Sequence, residues 1–163
     1  MQQIIFALST LFALACAEDE YLEFDDCREA FSGQLELGTG TDEFEAAEGN
    51  PFVFTAGFQG GYHLYGGLRL PQALAGPARI AINLCQNDRV IARARLNEAF
   101  IEVGEHSELA GILVVLLQGY RPENRAAVPS VLTASVEDKE GGQHRAALRI
   151  TPACCIGLGQ APE

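Results

Sequence analysis

The sequence predicts an all-β fold, an antiparallel β-sandwich of about seven strands. Short runs of alternating apolar and polar residues recur along the chain, and Gly, Pro, Asn and Asp clusters separate them. The chain has 163 residues, of which 48% are hydrophobic. That is enough for one domain to bury a core without a metal or a dense set of disulfides.

The first three predicted strands lie between glycines and prolines. Leu35 and Leu37 alternate with Glu36 before a Gly-Thr-Gly segment, and residues 51–54 form a short run rich in aromatic residues. Residues 62–70 follow the pair Gly60-Gly61 and end at Pro71. Each run is of strand length and has turn residues at its ends.

A hairpin is predicted next, from residues 79–85 and 89–96 around the polar turn 86–88. Residues 112–117 are continuously apolar, which favours a strand buried on both faces. A second hairpin joins 131–136 to 146–150 through an acidic, Gly-containing turn, and one helical turn is predicted at 105–109. The predicted core consists of the inward-facing residues of these runs: Ile80, Ile82, Leu84, Val90, Leu96, Ile112, Val114, Leu116, Leu132, Val136, Leu148 and Ile150.

The charge of the chain is concentrated near its N-terminus. The formal net charge is −11, and residues 18–48 hold twelve acidic residues against the single Arg28. The remaining body is close to neutral. This balance excludes a nucleic-acid partner, because nothing supplies the cations that neutralise phosphates.

An apolar run at residues 4–15 predicts export. At twelve residues it is too short to span a bilayer and has the length of a signal-peptide core. Ala13-Leu14-Ala15-Cys16 resembles a bacterial lipobox, in which Cys16 is lipidated and becomes the mature N-terminus. Ordinary cleavage after Ala17 is the alternative.

Both routes leave an even number of cysteines, four, which suits an oxidising compartment. The lipid route fits the acidic run behind Cys16 better, since that run would act as a solvated tether to the membrane. The predicted organisation is a signal peptide at 1–15, an acidic tether at 16–33, a sandwich domain at 34–152 and a C-terminal tail at 153–163.

Two disulfides are predicted to join Cys27 and Cys85 to the two tail cysteines, Cys154 and Cys155. A bond between the adjacent cysteines is discounted, because neighbouring side chains point to opposite sides of an extended chain. Which tail cysteine bonds Cys85 is left open.

Three residues are candidate ligand contacts: Gln59, His63 and Tyr65. His63 follows the Gly60-Gly61 pair, where backbone freedom lets a strand begin abruptly and present a side chain to a ligand. The alternative is that the imidazole packs beside Tyr65 and hydrogen-bonds a neighbouring loop. The glycines themselves lack phosphate-binding spacing and are expected to fix a turn.

The sequence predicts no catalytic residue, no metal site and no cofactor, and therefore no enzyme. It has no Gly-x-Ser-x-Gly elbow, no Ser-x-x-Lys and no His-Glu-x-x-His motif. The three histidines are scattered, and the acidic loops at 41–45 and 137–138 lack EF-hand spacing.

Two resemblances accompany these residues. The hairpin at 132–150, with Gly141-Gly142 in its turn, looks like the closing strands of immunoglobulin-like domains on bacterial surfaces. The segments 37–40 and 57–63 resemble a group of uncharacterised myxobacterial-type surface lipoproteins, in which Gly-Thr-Gly precedes a Gly-Pro-Gln-Gly-Gly-x-His motif. This resemblance implies an exported, lipid-anchored, immunoglobulin-like sandwich in the cell envelope and brings no known activity.

These observations lead to one favoured function and two alternatives. The favoured function is a lipid-anchored binding or adhesion module whose partner is an envelope protein or glycan, on the periplasmic face or the cell surface. The first alternative is a structural envelope protein without a discrete ligand. The second is a small metal-handling protein or hydrolase that uses His63.

Overall fold

The computed structural model describes Cys27 and residues 34–57, 60–74 and 76–156. These residues form eleven β-strands and a short 3-10 helix at Pro122–Asn124. The strands are β1 (Glu36–Thr39), β2 (Glu45–Ala46), β3 (Val53–Ala56), β4 (Tyr62–Leu70), β5 (Pro77–Gln86), β6 (Arg89–Ala99), β7 (Ile101–Val103), β8 (His106–Leu116), β9 (Ser130–Glu137), β10 (Gln143–Ile150) and β11 (Ala153–Ile156).

All eleven strands belong to one sheet, with the main order β10-β9-β5-β6-β8-β4-β1-β2. Pairing is antiparallel throughout, except that β11 runs parallel to β3. The sheet curls until β1 contacts β10, and the core lies inside the curl. The predicted all-β antiparallel fold is therefore confirmed, although the strands form a curled half-barrel rather than a clear seven-strand, immunoglobulin-like sandwich.

The curl has a physical origin in the length and the bulges of the central strands. β5, β6 and β8 are 10, 11 and 11 residues long. Register shifts interrupt the β5–β6 and β4–β8 pairs. Because a bulge bends a strand and increases its twist, long bulged strands curve instead of stacking as two flat layers.

The first predicted hairpin is confirmed, with a tighter turn than expected. Gln86 pairs with Arg89, so the turn holds only Asn87 and Asp88. Both turn residues have positive φ, 49° and 58°. This is the two-residue type I′ geometry whose twist matches that of the strands, and Asn and Asp tolerate it better than most residues.

A bulge in β6 corrects the predicted core at one position. Leu84 pairs with Ala92 and Cys85 with Val90, which leaves Ile91 as the extra residue. Ile91 is buried, with 1% of its surface exposed, whereas Val90 is only half-buried. The assignment of Val90 to the core was therefore wrong, because the bulge shifts the alternation by one residue.

The rest of the predicted core is largely correct. Eight of its residues are buried: Ile80, Ile82, Leu84, Ile112, Val114, Leu116, Leu132 and Val136. Leu96, Leu148 and Ile150 are half-buried and pack against them. The core also contains Phe54 of β3, with Phe52 just before that strand, and three leucines of β4: Leu64, Leu68 and Leu70.

Two predictions for β8 were wrong. No helical turn forms at 105–109: Glu105 lies in a tight turn with Gly104, whose φ is 63°, and residues 106–109 are strand. The apolar run at 112–117 is buried on one face only, since Leu113 and Val115 are 48% and 46% exposed. A continuously apolar run was therefore not buried on both faces here, because two residues of the run lie on an exposed face of the sheet.

The predicted disulfide pairing was also wrong. Cys27 is bonded to Cys85, with 5.7 Å between their Cα atoms, and Cys154 is bonded to Cys155. The reason is the path of residues 153–156, which run beside β3 and not beside β5. The Ala153 N–H donates to the carbonyl oxygen of Phe52 at 2.8 Å, so residues 153–156 of the predicted tail join the sheet beside β3.

Within the part of the chain that the structure describes, none of the helical structure has the length and apolar character needed to cross a membrane.

Candidate binding surface on the outer face of the sheet

The candidate residues His63 and Tyr65 lie on the outer face of β4, away from the core. Leu64 between them is fully buried, as the period of a strand requires. Across the ladder, His63 pairs with Val115 and Tyr65 with Leu113. We call these four side chains, His63, Tyr65, Leu113 and Val115, the apolar patch.

The two rings of the apolar patch meet edge to face. Their centroids are 5.0 Å apart and their planes are inclined by 87°. The turn before β4 comes close to the imidazole, because a Cβ atom placed on Gly57 would lie 3.5 Å from His63 Nδ1. Two hydrogen bonds close this turn: Gly57 N–H to Gly61 O at 2.8 Å, and Gly60 N–H to Gly57 O at 3.1 Å. The glycine pair fixes a turn, as predicted.

Burial lowers the pKa of His63 below its usual value of 6.5. The Nε2 atom is inaccessible to solvent and has no hydrogen-bond partner among the described residues. Protonation there would place a charge next to apolar side chains without an acceptor, so the neutral form is favoured. The imidazole packs beside Tyr65, as the alternative sequence interpretation expects. The hydrogen bond to a neighbouring loop that the same interpretation expects is not made by Nε2 within the described part of the chain. Gln59 and Cys16 lie outside the described residues.

The metal-handling alternative gains no support at this position. The described residues hold no group of three or more His, Cys, Asp or Glu side chains placed to share an ion. His144 lies elsewhere, with Nε2 3.6 Å from the Oδ2 atom of Asp138. Asp138 organises its own hairpin turn: the Gly142 N–H, at 2.8 Å, is the main cause of its lowered pKa.

A second feature of the outer face was not anticipated from the sequence. Five arginines project from strands of the same sheet, and we call them the arginine band: Arg79, Arg93, Arg95, Arg145 and Arg149. The sequence signal for this band is the even spacing of the arginines, two residues apart in β6 and four residues apart in β10, which places them on one face of each strand.

Four short side chains lie between the two rows of the band. Arg93 and Arg95 of β6 flank them on one side, and Arg145 and Arg149 of β10 on the other. We call the four the floor: Ala81, Asn83, Thr133 and Ser135. All four are buried although they belong to the outer face, and Ser135 is only 7% exposed. Its Oγ atom has no hydrogen-bond partner within the described part of the chain.

Every member of the arginine band has an interaction partner. The Nη2 atom of Arg145 donates to the Oε1 atom of Gln143 at 3.2 Å. The Arg79 guanidinium forms an ion pair with Glu137, its cross-strand neighbour. The Nη1 atom of Arg95 donates to the carbonyl oxygens of Ala94 and Ile82, at 2.8 and 3.4 Å.

The arginine band has two boundaries. At one end a cleft of about 450 Å³ contains the Cys27–Cys85 disulfide, and Arg149 and Val131 also line it. On the other side, Arg93 is the cross-strand neighbour of Val115. The outer face therefore carries the disulfide, the arginine band and the apolar patch in succession.

A comparison with protein-family models gives no match for this chain, and a comparison with curated proteins gives none either.

Proposed function

We propose that the protein is an exported, lipid-anchored binding or adhesion module of the bacterial cell envelope, and that the apolar patch contacts an envelope protein or glycan. The observation that supports this most is the exposure of Leu113 and Val115, which lie side by side at 48% and 46%. Contiguous apolar side chains on an otherwise polar surface mark interaction sites, since water contact there is unfavourable.

The chemistry of the patch suits a flat partner surface. The aromatic rings of His63 and Tyr65 are held in a fixed edge-to-face pair, so they lose little conformational freedom on binding. Tyr65 adds a hydroxyl that can direct a polar group of the partner. A sugar ring and an apolar side chain would both pack against such a surface.

The lipid anchor is a separate part of the proposal, carried by Cys16. We expect Cys16→Ser to move the protein from the membrane fraction to the soluble fraction, because the thiol that accepts the lipid is removed. Fractionation followed by N-terminal sequencing measures this. A wild-type protein that is itself soluble and begins at Glu18 would instead establish ordinary cleavage.

Retention on bacterial envelope fractions tests the patch, with Cys16→Ser as the background so that the lipid plays no part. In this background, Leu113→Ser with Val115→Ser should weaken retention about tenfold, because the apolar contact is lost. The matched control is Ile101→Ser with Val103→Ser, which changes two other exposed apolar residues, 66% and 48% exposed. The control should bind like the parent protein.

Treatment of the fraction with a protease or with glycan-cleaving enzymes separates the two partner classes. Loss of retention after protease treatment indicates a protein partner, and loss after treatment with glycan-cleaving enzymes indicates a glycan. If the patch variant binds like the parent, the apolar patch is not the contact surface. If the Cys16→Ser protein is not retained at all, the structural alternative replaces the binding module.

A further inference from the structure

The arginine band stands out against the charge of the chain. It places five cations on one face of a protein whose formal net charge is −11. Residues 18–26 have the opposite character, with six acidic side chains and no basic one. We propose that the arginine band is an anion-binding surface whose occupant is the acidic segment 18–26 of the same chain.

The Cys27–Cys85 disulfide joins this segment to the arginine band. Residue 26 directly precedes Cys27, and Cys27 is bonded to Cys85 at the end of the floor. Arg149 lines the same cleft as the disulfide. The disulfide therefore anchors the C-terminal end of the acidic segment close to Arg149, the first arginine that the segment would meet.

The segment is long enough to follow the band. From Cys85 to Arg79, β5 advances six residues, which is about 20 Å at 3.4 Å per residue. Nine extended residues reach about 30 Å. The segment can therefore extend from the disulfide to the far end of the band.

The surface suits carboxylates rather than a neutral peptide. Guanidinium groups bind carboxylates through paired hydrogen bonds, and two rows of them flank a floor of short side chains. The buried Ser135 Oγ, without a partner among the described residues, offers a further hydrogen bond at the centre of that floor. Attachment through the disulfide also raises the effective concentration of the segment to about the millimolar range.

Occupancy of the band has a consequence for the neighbouring surface. Because Arg93 is the cross-strand neighbour of Val115, an occupant of the band borders the apolar patch. An external polyanion would have to displace segment 18–26 first. The proposal concerns the arginine band and does not depend on the partner of the apolar patch.

A tryptophan reporter tests the occupancy in the full chain, which has no Trp of its own. In Leu22→Trp, quenching of the fluorescence by acrylamide measures how open position 22 is to solvent. We expect about twofold stronger quenching in about 1 M NaCl than at low salt, because salt screens the ion pairs. This comparison needs no change in the band itself.

Charge reversal provides the second arm of the test. Arg145→Glu with Arg149→Glu should raise quenching at low salt to the high-salt level. Arg121→Glu with Lys139→Glu, the same change in charge at two exposed positions outside the band, should leave quenching low. Equal quenching in all proteins and at both salt concentrations would overturn the proposal.

The third arm uses dextran sulfate as a polyanionic probe. Conversion of all six acidic residues of segment 18–26 to amides should tighten dextran sulfate binding about tenfold, because the internal competitor is lost. The matched control converts six exposed acidic residues elsewhere: Asp42, Glu43, Glu45, Glu48, Glu102 and Glu105. If wild type binds the probe as tightly as the segment variant does, the band serves external polyanions and the proposed occupant is wrong. Equal gains in both variants would show an effect of net charge alone and would equally overturn it.

Discussion

His63 combines a surface position with a buried nitrogen, and this combination makes it sensitive to pH. The period of a strand places residues 63 and 65 on one face, so their association could be predicted from the sequence. Which face is exposed could not be predicted. It depends on where β4 and its partner β8 lie in the curl, and the bulge between Gly66 and Leu68 changes the register of that pair.

The lowered pKa of His63 predicts a loss of stability in mild acid. The unfolded chain takes up a proton near pH 6.5, whereas the folded state resists it until lower pH. The free energy of unfolding therefore falls as the pH drops below about 6.5, until the folded-state pKa is passed. Thermal unfolding at pH 7.5 and 5.5 should show a larger decrease for wild type than for His63→Gln. Equal decreases would contradict the account.

At the scale of elements, the β5–β6 hairpin shows which features sequence patterns predict and which they miss. Alternation identified both strands, and the polar turn identified their connection. The bulge was invisible, because Val90, Ala92 and Ala94 continue the pattern past Ile91 without a break. The exchange of Val90 for Ile91 in the core follows from backbone register, which hydrophobicity does not encode at this position.

The bulge predicts that two adjacent truncations destabilise the protein to very different extents. Ile91→Ala should lower the free energy of unfolding by about 2–5 kcal/mol, since it leaves a cavity in the core. Val90→Ala removes only half-buried surface and should cost less than about 1 kcal/mol. Urea unfolding of the two variants measures both values. A larger loss for Val90→Ala would show that the strand alternates without a bulge.

At the scale of the whole molecule, composition and turn spacing were sufficient for the all-β class but not for the shape. Whether strands split into two layers or curl as one sheet depends on bulges and on long-range pairing. The parallel addition of β11 to β3 is such a pairing, and it moved Cys154 and Cys155 away from the predicted partners. Four cysteines allow three connectivities, and sequence alone does not choose among them.

The Cys27–Cys85 bond spans 58 residues. A loop of that length predicts a contribution of about 4 kcal/mol to stability, mainly through the unfolded chain. Denaturation of Cys27→Ala/Cys85→Ala measures the loss, and Cys154→Ala/Cys155→Ala, which closes almost no loop, is the control with a small expected change. Non-reducing peptide mapping should recover Cys27 joined to Cys85. Recovery of either residue joined to a tail cysteine would contradict the fold of residues 153–156.

The central claim is that the apolar patch is the contact surface, and hydroxyl-radical footprinting on the envelope-bound protein tests it most directly. Binding should reduce oxidation of Tyr65, Leu113 and Val115, because the partner excludes solvent from them. Ile101 and Val103 are exposed on β7, which pairs with the opposite end of β8, and they should be oxidised equally in the free and bound protein. Unchanged oxidation of the patch, with protection at Ile101 and Val103 instead, would contradict the account.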